Sequence, residues 1–598
     1  MNINNEKISP QQADGLETTS ESVRADSSHS ATSISSEDAN EQIVHHLQTT
    51  GEEIGLTWRT CMAAAGMCMC YNTYLFTLLI PPTILSYINA ELGPNPRYTW
   101  ITISWNLGGA MFVTIGGRLS DIFGRRYFFL TGSGLLIIGS IVSATGQSIS
   151  QMIAGGTIFG AGSGFLEMSF GAVQEIVPSK YRAVTIGLFD ASSIIAQIMP
   201  LIAWFIIRDT HNWRVCYYTM IGFQVLNFIF LFFFYNPPKF RDIQAEHGKT
   251  KTQILKDFDY VGLFLFVAGC TLFIVGLSWG GSLYPWNSGA AIAPIVIGLG
   301  TLIGLGFYEA YGNLKEPLFP PRLFKAVRHF TMPLIVMAVG GMQYYSNATL
   351  WTRLSQLLYA GDEISKGLYA EAMPLGTILG GILVAFSKKI GHQRWQVFFA
   401  VALQTACVGA MSTASIDNAV KSIILTIIIS MTSSLIILNG MVLVGFGIVY
   451  QEDIGTAAGL AGTSRLLAGA VATAIFSNVT NNKYASTLPD QVRASVSGFN
   501  LSPDIVTRLI TAAAAGTSAA YSSIRGITPD IEAGATMANK ESYLAGARLS
   551  YQVALAFGLF GCIAALFVPS VDTRKYTRRM VAPQQADKKA LEQKTETV

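Results

Sequence analysis

The chain has 598 residues, of which 50% are hydrophobic and only 13% are charged. Soluble domains carry roughly 25% charged residues, so this composition excludes a disordered chain, a collagen and an ordinary cytosolic enzyme. The net charge of +3 is too small to indicate a nucleic-acid partner.

The two ends of the chain differ from the rest in composition. Residues 1–56 are rich in Ser, Thr, Gln and Glu, and residues 570–598 are also polar. Segments of this kind cannot bury a core, so we expect a disordered cytosolic tail at 1–56 and a second cytosolic tail at 570–598. No basic start leads into a short apolar stretch near Met1, so we expect no signal peptide.

Long apolar runs fill the chain between the tails. A membrane-spanning helix needs about 20 mostly apolar residues. Lipid cannot form hydrogen bonds with backbone groups, so these groups must bond to each other within a helix. The sequence therefore predicts an all-α integral membrane protein with about fourteen transmembrane helices. The predicted spans are 60–80, 98–117, 127–146, 152–176, 183–207, 213–235, 258–280, 290–311, 331–352, 366–387, 395–413, 422–446, 456–477 and 549–568.

Lys and Arg in the short loops indicate the orientation. They are concentrated in the loops that lie on one side of the membrane, and cytosolic loops are the ones that carry such an excess. An even number of spans returns the chain to its starting side, so we expect a multi-pass protein with both termini in the cytosol.

We expect the segment between the last two predicted spans to be a long loop, and the predicted orientation places it outside the cell. Residues 479–547 are rich in Ala and Ser and contain three prolines. The segment carries the sequon Asn500-Leu-Ser502, which we predict as a glycosylation site. Asn478-Val-Thr480 is a second candidate, less favoured because it lies close to the membrane.

The most specific motif follows the second span. It reads G-R-L-S-D-I-F-G-R-R over residues 117–126 and joins two apolar helices by a short charged turn in which glycine permits close approach. A weaker echo, K-K-I-G-H-Q-R over 388–394, follows the tenth span. A repeat at the same place in each half is typical of internally duplicated transporters. The echo carries Lys388 where the first copy has Asp121.

This motif resembles the signature of the major facilitator superfamily, where the loop acts as a conformational latch. The resemblance assigns that role to five residues, namely Gly117, Asp121, Gly124, Arg125 and Arg126. The segment Leu277–Gly281, with Pro285-Trp286, resembles the fourteen-helix drug:proton antiporter branch. Within that branch, Glu175–Pro178, Asp453–Leu460 and Arg465 resemble fungal trichothecene-type efflux pumps. Fungal siderophore-iron transporters share most of this layout.

The resemblance implies a division of the chain and a mechanism. It implies an N-terminal six-helix bundle at 57–236, a cytosolic linker at 237–257, an extra central helix pair at 258–312, a cytosolic loop at 313–330, and a C-terminal six-helix bundle at 331–569 that includes extracellular loop 479–547. It further implies proton-coupled export of a bulky fungal secondary metabolite or toxin across the plasma membrane, with the vacuolar membrane as an alternative. No cofactor beyond the proton gradient is expected, and a monomer is favoured.

Charged and polar residues inside the spans mark a candidate substrate path. An intramembrane charge costs about 2.5–3.5 kcal/mol and usually faces a cavity. Glu167 lies on a stripe of small and polar residues in the fourth span, and burial disfavours the charged form of a carboxyl group, so it is a candidate for reversible protonation. Such a stripe can also serve only to pack helices together. The candidates are Glu167, Gln174, Asp190, Gln197, Gln343, Asn347 and Arg465, with Tyr71, Tyr74, Tyr344, Tyr345 and Trp351 as aromatic groups that could stack on a substrate.

Other function classes find little support in the residues. No G-x-x-x-x-G-K-[ST] segment occurs, so we do not expect ATP as the energy source. All seven histidines fall in tails or loops, and no cysteine has zinc-site spacing, so we predict neither an enzyme nor a metal site. Two alternatives to efflux stay open at this point: uptake of iron–siderophore complexes, and a non-transporting membrane sensor.

Overall fold

A computed structural model describes residues 58–569 except 94, 170–171, 174–187, 190, 236–255, 282, 313, 315–316, 447–453, 500, 517, 523 and 525. Each of the fourteen predicted spans overlaps a helix in these residues. We number those helices α1 Trp58–Leu92, α2 Trp100–Phe123, α3 Arg125–Ala144, α4 Ile149–Glu167, α5 Met199–Thr210, α6 Arg214–Phe234, α7 Tyr260–Trp279, α8 Gly289–Tyr311, α9 Met332–Leu358, α10 Ala372–Ile390, α11 Gln393–Met411, α12 Ala419–Phe446, α13 Ile454–Ser495 and α14 Pro529–Phe567. Several shorter helices lie between them.

The numbered helices pack as two halves and a pair. In the N-terminal half, α4 packs against α2 and α3, and α6 packs against α3 and α1. In the C-terminal half, α9 packs against α12, α13 and α14, and α12 also contacts α10 and α11. The two halves meet most extensively along α2 and α13. This arrangement is the all-helical fold of two bundles that the sequence predicts.

The extra pair lies beside the contact between the halves. Helices α7 and α8 pack against each other, and α7 also contacts α13 and α2. Phe266, Cys270 and Ile274 of α7 share a buried cluster with Ile103 of α2 and Ala470 of α13. The pair is therefore joined to both halves through its first helix.

Nine helices of the described residues are long and apolar enough to cross a membrane by length and composition. Helices α2, α4 and α9 are among those that fall below this criterion, and they carry buried polar residues such as Asn106, Glu167 and Gln343. Polar residues within a span face the interior of a bundle because lipid cannot solvate them. Helices α2, α4 and α9 are thus expected to turn these polar residues toward the interior of the bundle.

A glycine turn of the same form occurs in each half. Gly124 between α2 and α3 has φ 93°, and Gly391 after α10 has φ 70°, values that favour glycine. After the first turn, Arg126 donates to the carbonyl oxygen of Phe232 at 2.7 Å. After the second, Arg394 donates to the carbonyl oxygen of Leu566. Each arginine therefore binds a free carbonyl at the end of the last helix of its own half, so the echo seen in the sequence is also a structural repeat.

The segment predicted as the extracellular loop 479–547 is helical over most of its length. Helix α13 has 42 residues and α14 has 39, so they extend roughly 63 and 58 Å at 1.5 Å per residue. Between them lie the short helices Pro503–Ala515 and Ser518–Ser522. A separate apolar cluster holds them together, formed by Leu488, Val492, Val496, Leu509, Ala512, Ala513, Tyr521, Ile531, Ala535 and Ala538. We call this part, residues 483–543, the helical tip.

Alanine-rich sequence explains the difference. The composition favours helix as strongly as it favours a loop, because Ala has the highest helix propensity of the amino acids. Pro503 and Pro529 occupy first-turn positions where proline is tolerated. They therefore mark the beginnings of helices inside the segment predicted as a loop.

Candidate transport site

The centre of the molecule contains an ion pair between the two halves. Arg465 of α13 donates through Nη2 to Oε1 of Glu167, the last residue of α4. Both residues are buried, with 5% of Glu167 and 7% of Arg465 exposed. Removing two charges from solvent is costly, and their mutual attraction offsets that cost only while both charges remain paired. The contact between the halves at this point therefore depends on the charge of both partners.

Two tyrosine hydroxyls extend this ion pair. Tyr74 of α1 lies 3.5 Å from Nη2 of Arg465 through its hydroxyl group. The same hydroxyl lies 3.0 Å from that of Tyr345 on α9. Four residues from α1, α4, α9 and α13 thus form one polar cluster, which we call the central cluster. Oε2 of Glu167 and Nε of Arg465 are buried without a hydrogen-bond partner in the described residues.

Aromatic rings surround the central cluster. Trp105 lies 5.9 Å from the ring of Tyr74 and 6.1 Å from that of Tyr345, centroid to centroid. Its indole N–H donates to the Thr77 hydroxyl at 3.1 Å, which fixes the ring. Tyr71 stacks on Tyr74 at 5.9 Å. Tyr74, Trp105 and Tyr345 are each buried, so these rings pack directly against the charged and hydroxyl groups of the cluster.

Close backbone approach brings α2 and α13 together beside the cluster. A Cβ atom added to Gly459 would lie 3.3 Å from Cα of Gly117, and one added to Gly462 would lie 3.1 Å from Oε1 of Glu167. The hydroxyls of Thr114 and Thr463 contact each other across the same interface. Small residues at these positions allow the ion pair to form, because a larger side chain would hold the helices apart.

Two predicted path residues contact α14 and not the central cluster. Gln343 donates to the carbonyl of Ala554 at 3.0 Å, and the side-chain oxygen of Asn347 accepts from the Tyr551 hydroxyl at 3.2 Å. Both therefore join helices within the C-terminal half, where α14 supplies one partner to each amide, while Nδ2 of Asn347 is buried without a partner in the described residues.

Of the remaining predicted path residues, the structure describes one and leaves two undescribed. Gln197 is buried at the end of the short helix Ile194–Gln197, and its Oε1 has no partner in the described residues. Gln174 and Asp190 lie outside the described residues. Among the five predicted path residues that the structure describes, Glu167 and Arg465 are the two that form a hydrogen bond with each other.

The latch residues occupy the glycine turn between α2 and α3. Gly117 packs against Gly459 of the other half, and Gly124 forms the turn itself. Arg126 binds the end of α6 within its own half, while Arg125 is partly buried at the start of α3. Asp121 is helical, and its side chain lies outside what the structure describes.

The structure gives no support to glycosylation at Asn478. This side chain is 5% exposed, and its Nδ2 atom donates to the carbonyl oxygens of Leu277 and Gly280 at 2.6 and 2.7 Å. A glycan would attach to that same nitrogen, which here forms hydrogen bonds between α13 and the end of α7. Asn500, the favoured sequon, lies outside the described residues.

Three carboxylates inside the predicted spans, Asp259, Glu309 and Glu371, are not named in the sequence analysis, and of these Glu371 joins the two halves. Glu371 lies between the short helix Glu363–Ala370 and α10, inside the tenth predicted span. Its Oε1 accepts a hydrogen bond from the backbone N–H of Leu201 on α5 at 2.9 Å. The rule that a charge within a span indicates function would have identified it.

Comparison with known proteins decides the family. The model of the fungal trichothecene efflux pump family, TRI12, matches residues 41–597. The chain belongs to the fungal trichothecene efflux pump family. Among its relatives, the trichothecene efflux pump TRI12 of Fusarium sporotrichioides is 28% identical over 83% of this chain and 84% of its own length. The MFS-type transporter prx5 of Penicillium rubens is 27% identical over 84% of this chain and 90% of its own length.

Solved structures confirm the fold. The human organic anion transporter MFSD10 has a TM-score of 0.52 at 13% identity and covers 86% of this chain and 100% of its own. A bacterial homologue of the lysosomal transporter Spinster in an inward-facing conformation has a TM-score of 0.51 at 13% identity, over 86% of this chain and 98% of its own. At this level of identity the likeness concerns the major facilitator fold alone.

Membership of the trichothecene efflux pump family confirms the main functional prediction. The chain is a multi-pass membrane transporter for small molecules of the efflux-pump class and not an enzyme. Transporters of this family need no cofactor and draw on an ion gradient. The relatives favour efflux over the siderophore-uptake alternative.

Proposed function

We propose that this transporter is a proton-coupled pump of the plasma membrane that exports a bulky fungal secondary metabolite by alternating access. The observation that carries the proposal is the buried ion pair between Glu167 and Arg465, which joins the two halves. The printed names of relatives support the substrate class, since they include trichothecene efflux pumps and the MFS-type transporter TOXA of Cochliobolus carbonum.

The ion pair suggests how proton movement is coupled to the motion of the halves. A proton on Glu167 removes the attraction that holds α4 to α13 and leaves Arg465 as an unpaired buried charge. The guanidinium group then needs an acceptor, which either the substrate or water supplies once the halves separate. Return of the unprotonated carboxylate restores the pair and the contact. The attraction between Glu167 and Arg465 in this way stabilises the conformation in which the two halves are in contact.

Transport in sealed vesicles of known orientation tests this proposal. A pH gradient is imposed, and the movement of a labelled trichothecene is compared with that of a labelled ferric siderophore. We expect proton-driven movement of the trichothecene out of the cytosolic side. We expect the Glu167→Gln variant to bind the toxin but to lose the dependence on the gradient.

A matched control keeps this result interpretable. Glu91 is a carboxylate on α1, half exposed at the end of the helix, and it pairs with Arg214 of its own half. The Glu91→Gln variant removes one carboxylate without touching the interface between the halves, so it should retain coupling. Unchanged proton-driven transport in Glu167→Gln would remove Glu167 from the proposal, and inward movement of the siderophore would overturn the efflux assignment.

We further propose that both termini lie in the cytosol and that the helical tip lies outside the cell. The distribution of Lys and Arg supports this orientation, because cytosolic loops carry the excess of positive charge. The glycine turns at Gly124 and Gly391 then face the cytosol. Asp121 and Arg125 act there as the latch, supported by the approach of Gly117 to Gly459 at the same end of the bundle. We propose a monomer as the working unit.

A further inference from the structure

Helix α5 is interrupted near its beginning. A single residue, Ile198, separates the short helix Ile194–Gln197 from the first residue of α5, Met199. Pro200 occupies the first turn of α5. The first N–H groups of a helix have no partner within the helix, and proline contributes none. The N–H of Leu201 is therefore a donor that needs an acceptor from elsewhere.

In the other half, the helical segment that faces α5 is interrupted before α10. The short helix Glu363–Ala370 ends at Glu371, whose backbone leads into α10 at Ala372. The Glu371 side chain supplies the missing acceptor, because its Oε1 lies 2.9 Å from the Leu201 nitrogen. A carboxylate is favoured at a helix N-terminus, where the backbone dipoles point their positive ends. The two broken helices thus meet through one charge-assisted hydrogen bond between the halves.

Neighbouring contacts bring the short helix against α5. A Cβ atom added to Gly367 would lie 3.0 Å from Cβ of Trp204, so glycine allows the approach. Nζ of Lys366 lies 5.4 Å from the ring centroid of Trp204 and 5.5 Å from that of Tyr87 on α1. These residues and Glu371 form what we call the α5 seam. The contacts of Glu371, Gly367 and Lys366 in it join the C-terminal half to the N-terminal half, where Tyr87 and Trp204 also pack on each other.

The seam lies near the end of the bundle that carries the helical tip. Tyr87 is in the last turns of α1, and Gln356, in the last turn of α9, donates to the carbonyl of Thr83 on α1 at 3.1 Å. Lys540 of α14 donates to the carbonyl of Leu358 at 3.2 Å, which places the end of α9 beside the tip. The seam therefore closes the side of the protein opposite the glycine turns.

We propose that Glu371 is a positioning residue of the transport cycle, which holds α5 on the C-terminal half and whose release opens the tip side of the path. This proposal rests on the alternating-access function proposed above. Leu201 N–H is the group that Glu371 binds, and the interruption of α5 at Ile198 makes that donor available. When the bond breaks, the tip-side contact loses its charge-assisted hydrogen bond and keeps the packing around Trp204, the contacts of Lys366 and the bond from Gln356 to Thr83, so the open state becomes more populated.

Pulsed electron paramagnetic resonance tests the proposal without depending on transport. Spin labels are placed at Asp209 and Asp417, two exposed positions on opposite halves at the tip end, in a full-length chain with its seven cysteines replaced. Distances are measured in the parent chain and in Glu371→Ala, Glu371→Gln and Asp362→Ala. Glutamine keeps an acceptor oxygen, whereas alanine removes it.

The control variant loosens the same segment without removing the seam bond. Asp362 caps the short helix Glu363–Ala370 by accepting from the N–H of Ser365 at 3.2 Å. We expect Glu371→Ala to raise the ratio of long to short distances about tenfold, the order expected for one hydrogen bond to a charged group. Glu371→Gln should recover most of the parent distribution, and Asp362→Ala should match the parent.

The proposal is overturned if Glu371→Ala has the parent distance distribution, or if Asp362→Ala changes it equally. A lower melting temperature of Glu371→Ala with unchanged distances has the same meaning, because it assigns a merely structural role. Toxin transport by Glu371→Ala is expected to lose turnover with a smaller change in KM. Loss of coupling in Glu167→Gln concerns the proposed function alone, so the two proposals fail separately.

Discussion

Glu167 and Arg465 are 298 positions apart in sequence and form a buried ion pair across the interface between the two halves. Each residue lies on a helix whose neighbours there are small, so the two charged groups can approach. The pair is the most direct physical link between the protonation of one side chain and the contact between the halves.

The ion pair predicts unequal costs for single and double substitution. Glu167→Gln leaves Arg465 as a buried unpaired charge, and we expect a loss of about 3–5 kcal/mol in the free energy of unfolding. Glu167→Gln combined with Arg465→Met removes both charges and should recover much of that loss. Melting temperatures of the purified variants in detergent provide the measurement. A double variant as unstable as the sum of the single variants would show that the two residues do not act as a pair.

A side chain at Gly462 should disturb the ion pair, because its neighbours would have to move to admit a Cβ atom. A Cβ atom there would lie 3.1 Å from Oε1 of Glu167 and 3.2 Å from Cγ2 of Val113, so Gly462→Ala should push α13 away from α2 and α4. We expect at least tenfold slower toxin transport. Gly222→Ala is the control, because a Cβ atom on Gly222 meets nothing within 4 Å. Equal transport rates in the two variants would contradict the close approach of these helices.

Substitution of Gly124 should destabilise the protein because of the backbone conformation at this position. Its φ of 93° is a conformation that L residues rarely adopt, so Gly124→Ala should destabilise the protein by about 1–3 kcal/mol. Gly134 in the middle of α3 is helical and open, and Gly134→Ala should be neutral or stabilising by about 0.5–1 kcal/mol. The melting temperatures of the two variants should therefore move in different directions. A stable Gly124→Ala variant would argue against this turn conformation.

Asn478 should matter for stability and not for glycosylation. Asn478→Ala removes bonds to the carbonyls of Leu277 and Gly280, and we expect a cost of about 1–3 kcal/mol. Endoglycosidase treatment should change the electrophoretic mobility of the Asn478→Ala variant as much as that of the parent. If the tip is outside the cell and modified, Asn500→Gln should abolish that change. A mobility change that depends on Asn478 would contradict its burial.

Local sequence explains why the fold was predictable in outline. A span such as α7 has no charged residue along its whole length, and lipid permits only helices in such runs. The tip was missed because Ala-rich segments with prolines satisfy both loop and helix patterns. Only the packing of Leu488, Leu509 and Ile531 into one cluster selects the helical form.

For the candidate site, too, the sequence identifies individual residues and the tertiary structure decides their contacts. The cost of charge in lipid identified Glu167 and Arg465 separately, because that cost is a property of each residue in its own span. Nothing in the sequence could pair them, since pairing depends on how α4 and α13 pack. The same holds for Gln343 and Asn347, which the packing of α14 directs away from the central cluster, and for Glu371, whose acceptor role exists only because α5 is interrupted opposite it. The sequence by itself determined which segments are helices in a membrane and which of their residues are costly there, whereas the tertiary structure decided which of those residues meet.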